Sequence, residues 1–340
     1  MSHGAPGEAR WVRREPRRSL PVPDLERIVR TAFPRGQVAE IQPLGDGMRN
    51  SNFKFRLDSS PHWFVLRIYE HDPSLCRKEL DLMRLAAGAI PIPEIIHAMP
   101  AGFEQLPPFT LSRFVDGISY RELRRGGDLD SIAQASYSAG ETLAAIGRFT
   151  FEKPGWLAPG PTVGRRLLEG RDPFPRFVDL CLSSANLQRR VTPDLLARAH
   201  TLAWSCAPQF SSLENENHLV HGDFNKRNVL VSQKDGRWSV TAVLDWEFAV
   251  SGTPLGDFGN FLRYEVSTCP LAEPHFSSGF LKAGGKLPDD WRRLARLIDL
   301  IALCESLTRD ELPGGIAVEL VELVRATIEN RDPQFGSAIG

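Results

Sequence analysis

Long hydrophobic runs are missing from this 340-residue sequence. The most apolar late stretch, Leu297 to Leu307, is broken by Asp299 and Glu305, so nothing approaches the ~18 to 20 apolar residues that span a bilayer. A soluble, cytoplasmic protein with no membrane partner is the expectation. Cysteine is scarce: Cys76, Cys181, Cys206, Cys269 and Cys304 are far apart, without the C-x-x-C spacing of zinc or redox sites. They read as reduced, buried thiols. An excess of either charge is also absent. Lys and Arg number 41 against 42 Asp and Glu, a net charge of −1, so bulk electrostatics recommends neither nucleic acid nor an anionic membrane as partner. The first twenty residues carry several arginines but no apolar h-region, which argues for a disordered basic tail over 1–20 and against a secretory signal. No internal repeat or low-complexity tract is present.

The chain does contain enough apolar residues, 42%, for a substantial core, and its length suits about two domains. Asp24 to Phe33 reads as a short helix, with Leu25, Ile28 and Val29 on one stripe. Ile41 to Leu44, Asn52 to Leu57 and Trp63 to Tyr69 read as an antiparallel meander. Ser74 is a candidate cap for a helix running to Ala87 and stopping at Gly88. Phe109 to Val115 is a further strand-like run. From Leu129 onward helical spacing dominates, with Thr192-Pro193 as an N-cap and N1 pair. Trp291 to Ile301 and Ala317 to Glu329 mark late helices, and residues 154–175 read as a surface loop. The expected organisation is α+β, with a compact unit over 21–112 and a mainly helical unit over 113–340.

The chemistry concentrates in His221-Gly222-Asp223-Phe224-Asn225-Lys226-Arg227-Asn228. Val229 to Val231 follows, then an Asp235-Gly236 turn, then Ser239 to Leu244 leading into Asp245-Trp246-Glu247. Asp-Gly between alternating apolar runs is a two-residue hairpin signal, and a hairpin brings Asp245 back beside Asn228. An amide oxygen and a carboxylate, both hard ligands, are then placed to share Mg²⁺, with Asp223 facing the same cavity. Phosphoryl transfer needs such a set: a divalent metal against phosphate charge and a carboxylate to orient an attacking hydroxyl.

These residues resemble the aminoglycoside phosphotransferase and choline kinase family, small-molecule kinases with a bilobal, protein-kinase-like fold. The resemblance covers nearly the whole chain. It implies that Asp223 is the catalytic base, Asn228 and Asp245 the Mg²⁺ ligands, and His221 a support of the loop. Gly252, Pro254 and Asp257 match the element that follows, whose aspartate braces the catalytic loop; Asp257 also reads as an N-cap for Phe258 to Tyr264. The turn Gly45-Asp46-Gly47-Met48-Arg49-Asn50-Ser51-Asn52 resembles the nucleotide-positioning loop, with Gly45 and Gly47 allowing backbone N–H groups close to phosphate. Asn50, Ser51 and Asn52 are additional candidates there.

Glu79 falls on the inward stripe of its helix with Leu75, Leu82 and Ala86, and a buried carboxylate needs a cation. Arg67, ending the preceding strand, is the expected partner. The resemblance implies that this pair grips the α and β phosphates, although the family more often has lysine at the strand position. Lys54, alternating with Phe53 and Phe55, reads as lying on the opposite face of its strand and so as a poorer substitute. The segment from Leu111 to Gly117 is expected to join the lobes and to meet the base of ATP, with GTP left open.

The expected activity is transfer of the γ-phosphate of ATP to a hydroxyl of a small molecule, an aminoglycoside-like or other polyhydroxylated or amino acceptor. Glu247, Glu265, Glu273, Asp289, Asp290, Glu305, Asp310 and Glu311 are candidate contacts for a cationic acceptor but read as solvated helix faces. Trp246, Phe248, Tyr264 and Trp291 are candidates for an aromatic cage but read as core. A nucleotide-binding scaffold without catalysis is the alternative. A protein kinase is disfavoured, because Asp-Trp-Glu stands where Asp-Phe-Gly would and no Ala-Pro-Glu follows at the usual distance.

Overall fold

The computed structural model describes residues 21–44, 50–166, 172–265 and 271–329. The basic segment 1–20, Gly45, Gly47 and Cys269 lie outside the described residues.

Helix α1 (Val22–Ala32) is followed by strands β1 (Val38–Pro43), β2 (Ser51–Leu57) and β3 (Trp63–Ile68), helix α2 (Ser74–Ala86), and strands β4 (Ile95–Met99) and β5 (Phe109–Arg113). The five strands form one antiparallel sheet in the order β1-β2-β3-β5-β4. Period-2 alternation assigns its faces. Phe53, Phe55, Leu57, Phe64, Leu66 and Ile68 turn to one side and cluster with Leu25, Ile28 and Val29 of α1. The other side carries Asn52, Lys54, Val65 and Arg67. Directly opposed residues of an antiparallel pair share a face, and the register opposes Asn52 to Arg67 and Lys54 to Val65. The alternation with phenylalanines therefore does not remove Lys54 from the face of Arg67, as the sequence alone suggests. It lies two residues along the same face, its ammonium 3.6 Å from the ring centroid of Phe114 and 4.6 Å from that of Trp63. The α2 N-terminus also differs from expectation: Pro73 is the N-cap, and Ser74, inside the helix, donates both its N–H, at 3.0 Å, and its hydroxyl to Asp72.

The remaining elements begin with β6 (Ile118–Ser119), α3 (Tyr120–Gly126) and α4 (Leu129–Ile146). Next come β7 (Gly155–Ala158), β8 (Thr162–Val163), α5 (Pro173–Leu182), α6 (Ala185–Arg190), α7 (Pro193–Ser205), α8 (Ala207–Phe210) and β9 (His218–Val220). Strands β10 (Val229–Lys234), β11 (Arg237–Val243) and β12 (Val250–Gly252) precede helices α9 (Leu255–Leu262), α10 (His275–Lys282), α11 (Trp291–Thr308) and α12 (Gly314–Ile328). Thr192 caps α7 as its sequence predicts, accepting the Leu195 N–H. The Gly- and Pro-rich stretch after residue 154 is not simply a loop: β7 and β8 form a hairpin, and β7 extends a sheet ordered β8-β7-β12-β9.

The largest core lies in this half, where Phe224, Trp246, Phe258, Phe261, Phe276 and Trp291 pack with α3 and α4 side chains. Trp246 and Trp291 are core residues, as read from the sequence. Cys76, Cys181, Cys206 and Cys304 are buried free thiols, and burial pushes those of Cys76, Cys181 and Cys304 up to about 12. Among the described residues no helix is long and apolar enough to cross a membrane.

Candidate active site

The Asp-Gly turn closes as predicted. Asp235 and Gly236 both have positive φ, 51° and 77°, the pairing required by a type I′ hairpin, and Lys234 opposes Arg237. At the other end of this hairpin Val229 opposes Val243, and the Leu244 N–H donates to the Asn228 carbonyl at 2.8 Å. Asp245 follows at φ 68°, a left-handed conformation tolerated by aspartate. The hairpin thus delivers Asp245 and Asn228 to one place.

Asp223 is held by amides. Asn228 Nδ2 donates to its Oδ2 at 2.8 Å and to its backbone carbonyl at 3.0 Å, and Asn225 Nδ2 donates to Oδ1 at 2.7 Å. Burial pushes the Asp223 carboxyl up to about 6, with the negative charge of Asp245 adding to the shift. Both amide hydrogens of Asn228 serve Asp223, so its carbonyl oxygen is the side-chain atom left to face a cation.

Beneath this loop, His221 donates from Nε2 to the Leu244 carbonyl at 3.0 Å, while its Nδ1 accepts the Asp223 N–H at 3.2 Å. Those two contacts require one protonated and one bare ring nitrogen, hence a neutral imidazole. Burial accordingly lowers its pKa to about 4. Asp257 accepts the N–H groups of His221 at 2.7 Å and Gly222 at 2.9 Å. It lies inside the first turn of α9, whose N-cap is Pro254, so it ties down the loop instead of capping Phe258 to Tyr264. Burial raises its carboxyl to about 7.

On the sheet side, Arg67 Nη2 meets Glu79 Oε1 at 2.9 Å and also Asp245 Oδ1 at 2.6 Å. The first contact is the one expected from the inward stripe; the second crosses from the sheet to the hairpin end. Tyr69 donates its hydroxyl to Glu79 Oε2 at 2.7 Å. Burial pushes the Glu79 carboxyl above its ordinary range, and Arg67 and Tyr69 draw it back. Oxygens of Glu79, Asp245 and Glu247 lie within 4.8 Å of one another, a spacing compatible with a divalent cation.

Glu247 is therefore buried in the site and is not a solvated helix residue. Glu265 and Glu273 depart from that reading too. Glu265 is buried, paired with Arg124 at 3.0 Å and Lys226 at 3.4 Å, and accepts the Leu271 and Ala272 N–H groups. Glu273 holds the Ser277 N–H and pairs with Arg292. Asp289, Asp290, Asp310 and Glu311 are exposed.

Among the turn residues, register separates two candidates that the sequence leaves level. Asn52 stands opposite Arg67 on the site face. Ser51 is buried on the other face and donates its hydroxyl to Glu70 at 2.7 Å. Asn50 is buried at the turn's end. Sequence reasoning passes over Asn225, Tyr69, Lys78 and Asn260. Lys78, buried on α2, donates to the Glu247 carbonyl at 2.8 Å. Asn260 follows Asp257 by three residues, the spacing of one helix face, and this period was the available signal.

The sequence profile of the phosphotransferase enzyme family matches residues 40–297. The chain belongs to that family. Hygromycin-B 4-O-kinase of Escherichia coli is 24% identical over 222 residues, 63% of this chain and 59% of that protein. Human acyl-CoA dehydrogenase family member 11 is 31% identical over 94 residues, 28% of this chain and 11% of its own length. The aligned part is thus less than two thirds of either relative. Among solved structures, aminoglycoside phosphotransferase APH(4)-Ia in complex with AMP-PNP and hygromycin B superimposes with a TM-score of 0.65 at 20% identity, covering 90% of this chain and 97% of that one. The GDP complex of aminoglycoside 2'-phosphotransferase-IIIa gives 0.66 at 17% identity, covering 90% and 98%. The fold of this chain is that of the protein-kinase-like, α+β proteins its motifs resemble.

Proposed function

We propose that this phosphotransferase moves the γ-phosphate of ATP to a hydroxyl of a small polyhydroxylated or amino acceptor, an aminoglycoside among the candidates. The observation that carries this reading is the meeting of Asp223, Asn228 and Asp245 with the Arg67–Glu79 pair, side chains contributed by the catalytic loop, a hairpin end, a strand and a helix. The donor set fits Mg²⁺: the Asn228 carbonyl oxygen and the Asp245 carboxylate are hard oxygens, with Glu79 and Glu247 close by. When bound, Mg²⁺ supplies neutralisation of phosphate charge. Asn228 and Asp245 would hold it.

Asp223 orients the acceptor hydroxyl and takes its proton. Asn225 and Asn228 keep that carboxylate aimed. Arg67 supplies positive charge for the nucleotide phosphates, steered by Glu79, and Asn52 lies beside it on the sheet. Gly45, Gly47 and Asn50 would bring the turn over the phosphates, while Ser51, whose hydroxyl is engaged with Glu70, would act through its backbone. His221 and Asp257 hold the loop. The base of ATP, or of GTP, would lie near the segment after β5. The prior engagement of Glu265 and Glu273 favours an acceptor recognised through hydroxyls over one anchored by many positive charges.

Incubation with Mg-ATP and a panel of aminoglycosides, amino alcohols, sugars and hydroxy amino acids, read as ADP release, tests the proposal. Acceptor-dependent release supports it. Arg67 in place of the usual lysine, paired with Asp245, favours a second reading, nucleotide binding without transfer. Binding of Mg-AMP-PNP with no ADP release from Mg-ATP would establish that alternative, and phosphorylation of a generic protein substrate alone would make the chain a protein kinase.

A further inference from the structure

Helix α9 braces the catalytic loop twice. Its first turn presents Asp257 to the His221 and Gly222 N–H groups, and one turn later Asn260 Nδ2 lies 3.4 Å from Asp223 Oδ1. That distance is long for an N–H···O bond, as contacts to a reacting group are before substrate tightens them. An ionised carboxylate only accepts, so the Asn260 amide must turn its NH₂ group toward Asp223. Its carbonyl oxygen is then directed elsewhere, and this oxygen is buried without a hydrogen-bond partner among the described residues. A buried carbonyl oxygen without a donor is costly, and beside Asp223 it stands ready to accept from a ligand. The neighbouring asparagine does not share the feature: Asn225 Oδ1 takes the Arg227 and Asn228 N–H groups. The adjacent Arg263 is turned to Asp299, which it meets through Nε at 3.0 Å and Nη2 at 2.6 Å.

We infer that Asn260 is an acceptor-positioning residue: Nδ2 steadies Asp223, and Oδ1 receives a hydrogen bond from a second hydroxyl or amine of the acceptor. This rests on the phosphotransferase reading and narrows it. Oδ1 and Nδ2 of one amide are separated by a single carbon, so the group held by Asn260 and the hydroxyl held by Asp223 are near neighbours on the acceptor. The acceptor is thus a 1,2- or 1,3-diol or the corresponding amino alcohol, and an isolated hydroxyl is a poor substrate.

The test uses the full chain with Mg-ATP and three probes: hygromycin B, glycerol and 1-propanol. Wild type is expected to release ADP at least tenfold faster with glycerol or hygromycin B than with 1-propanol at equal concentration. Asn260→Ala should lose most of that preference and raise the acceptor KM about tenfold, with the KM for Mg-ATP and the melting temperature unchanged. Asn260→Asp keeps an accepting oxygen but removes the donor to Asp223; it should lower kcat while leaving the acceptor KM near wild type. An active wild type whose preference survives in Asn260→Ala, or a variant whose loss falls equally on Mg-ATP, overturns the inference alone. Wild type that releases no ADP with any of these probes or with the wider acceptor panel overturns the phosphotransferase reading and this inference with it; calorimetry with Mg-AMP-PNP then shows whether nucleotide binding survives.

Discussion

Asp223 illustrates how neighbours set the chemistry of one side chain. Burial and the nearby Asp245 raise its carboxyl to about 6, while Asn225 and Asn260 hold the ionised form. A base must be deprotonated, so kcat/KM for the acceptor should fall as pH drops through an acid limb at or somewhat below pH 6, the lower value applying where bound metal offsets Asp245. A pH–rate profile flat down to pH 4.5 would remove Asp223 from the role. Asp223→Ala should cost roughly 10² to 10⁴ in turnover, with Mg-AMP-PNP affinity little changed by calorimetry. Arg67 stands where the resemblance implies a lysine more often. One guanidinium nitrogen meets both Glu79 and Asp245, so the rest of the planar fork is not spent on them, whereas an ammonium bridging the same two carboxylates would turn its whole charge toward them. Arg67→Lys should therefore lower kcat more than tenfold in ADP-release assays, whereas an unchanged rate would reduce the arginine to a simple positive charge.

Among the elements, the loop from His221 to Asn228 depends on backbone conformation as much as on side chains. Gly222 has φ 77°, and a Cβ there would overlap the Phe248 carbonyl oxygen. Gly222→Ala should destabilise the fold by about 2–4 kcal/mol, combining left-handed strain with overpacking, and urea unfolding measures it. His221 gives the loop a pH dependence. Its folded pKa, about 4, lies below the ordinary value, so between about pH 6.5 and 4 the unfolded chain binds a proton that the native chain refuses. Its contribution to stability is present above pH 6.5 and lost as pH falls, by about 2 kcal/mol at pH 5. The difference in unfolding free energy between wild type and His221→Asn should shrink by that amount from pH 7 to pH 5. A constant difference would mean that His221 titrates alike in both states.

At the scale of the whole molecule, the sheet half and the helical half meet through polar contacts, two of them at Asp245 and Glu247. Arg67 reaches Asp245, Lys78 reaches the Glu247 carbonyl, the Val243 N–H donates to the Pro91 carbonyl, and Asp81 takes the Gly160 N–H. Under the proposed function, nucleotide and metal entering here would exchange an internal ion pair for ligand contacts, which would couple binding to the relation of the two halves. Chelation of divalent metal should weaken AMP-PNP binding at least tenfold, and Asp245→Ala should both weaken binding and abolish most of its metal dependence. Equal calorimetric affinities with and without chelator would count against Asn228 and Asp245 as metal ligands.

Local chemistry is what made much of this legible in advance. The Asp-Gly turn specifies its hairpin because left-handed backbone is accessible to those two residues, and that hairpin places Asp245 beside Asn228. The inward stripe of α2 demands a cation for Glu79, and Arg67 is the one that arrives. Thr192 caps α7 by the same local logic. What no local pattern contains is the approach of distant segments. Register across β2 and β3 decided that Lys54 and Asn52 share the face of Arg67 while Ser51 does not. The packing of α9 on the loop turned Asp257 from a cap into a brace and brought Asn260 to Asp223. Burial converted Glu247, Glu265 and Glu273 from apparent surface charges into paired or site-facing groups. Periodicity determines which residues share a face of one element, but only tertiary contact, through burial and the hydrogen bonds it makes obligatory, determines what that face meets.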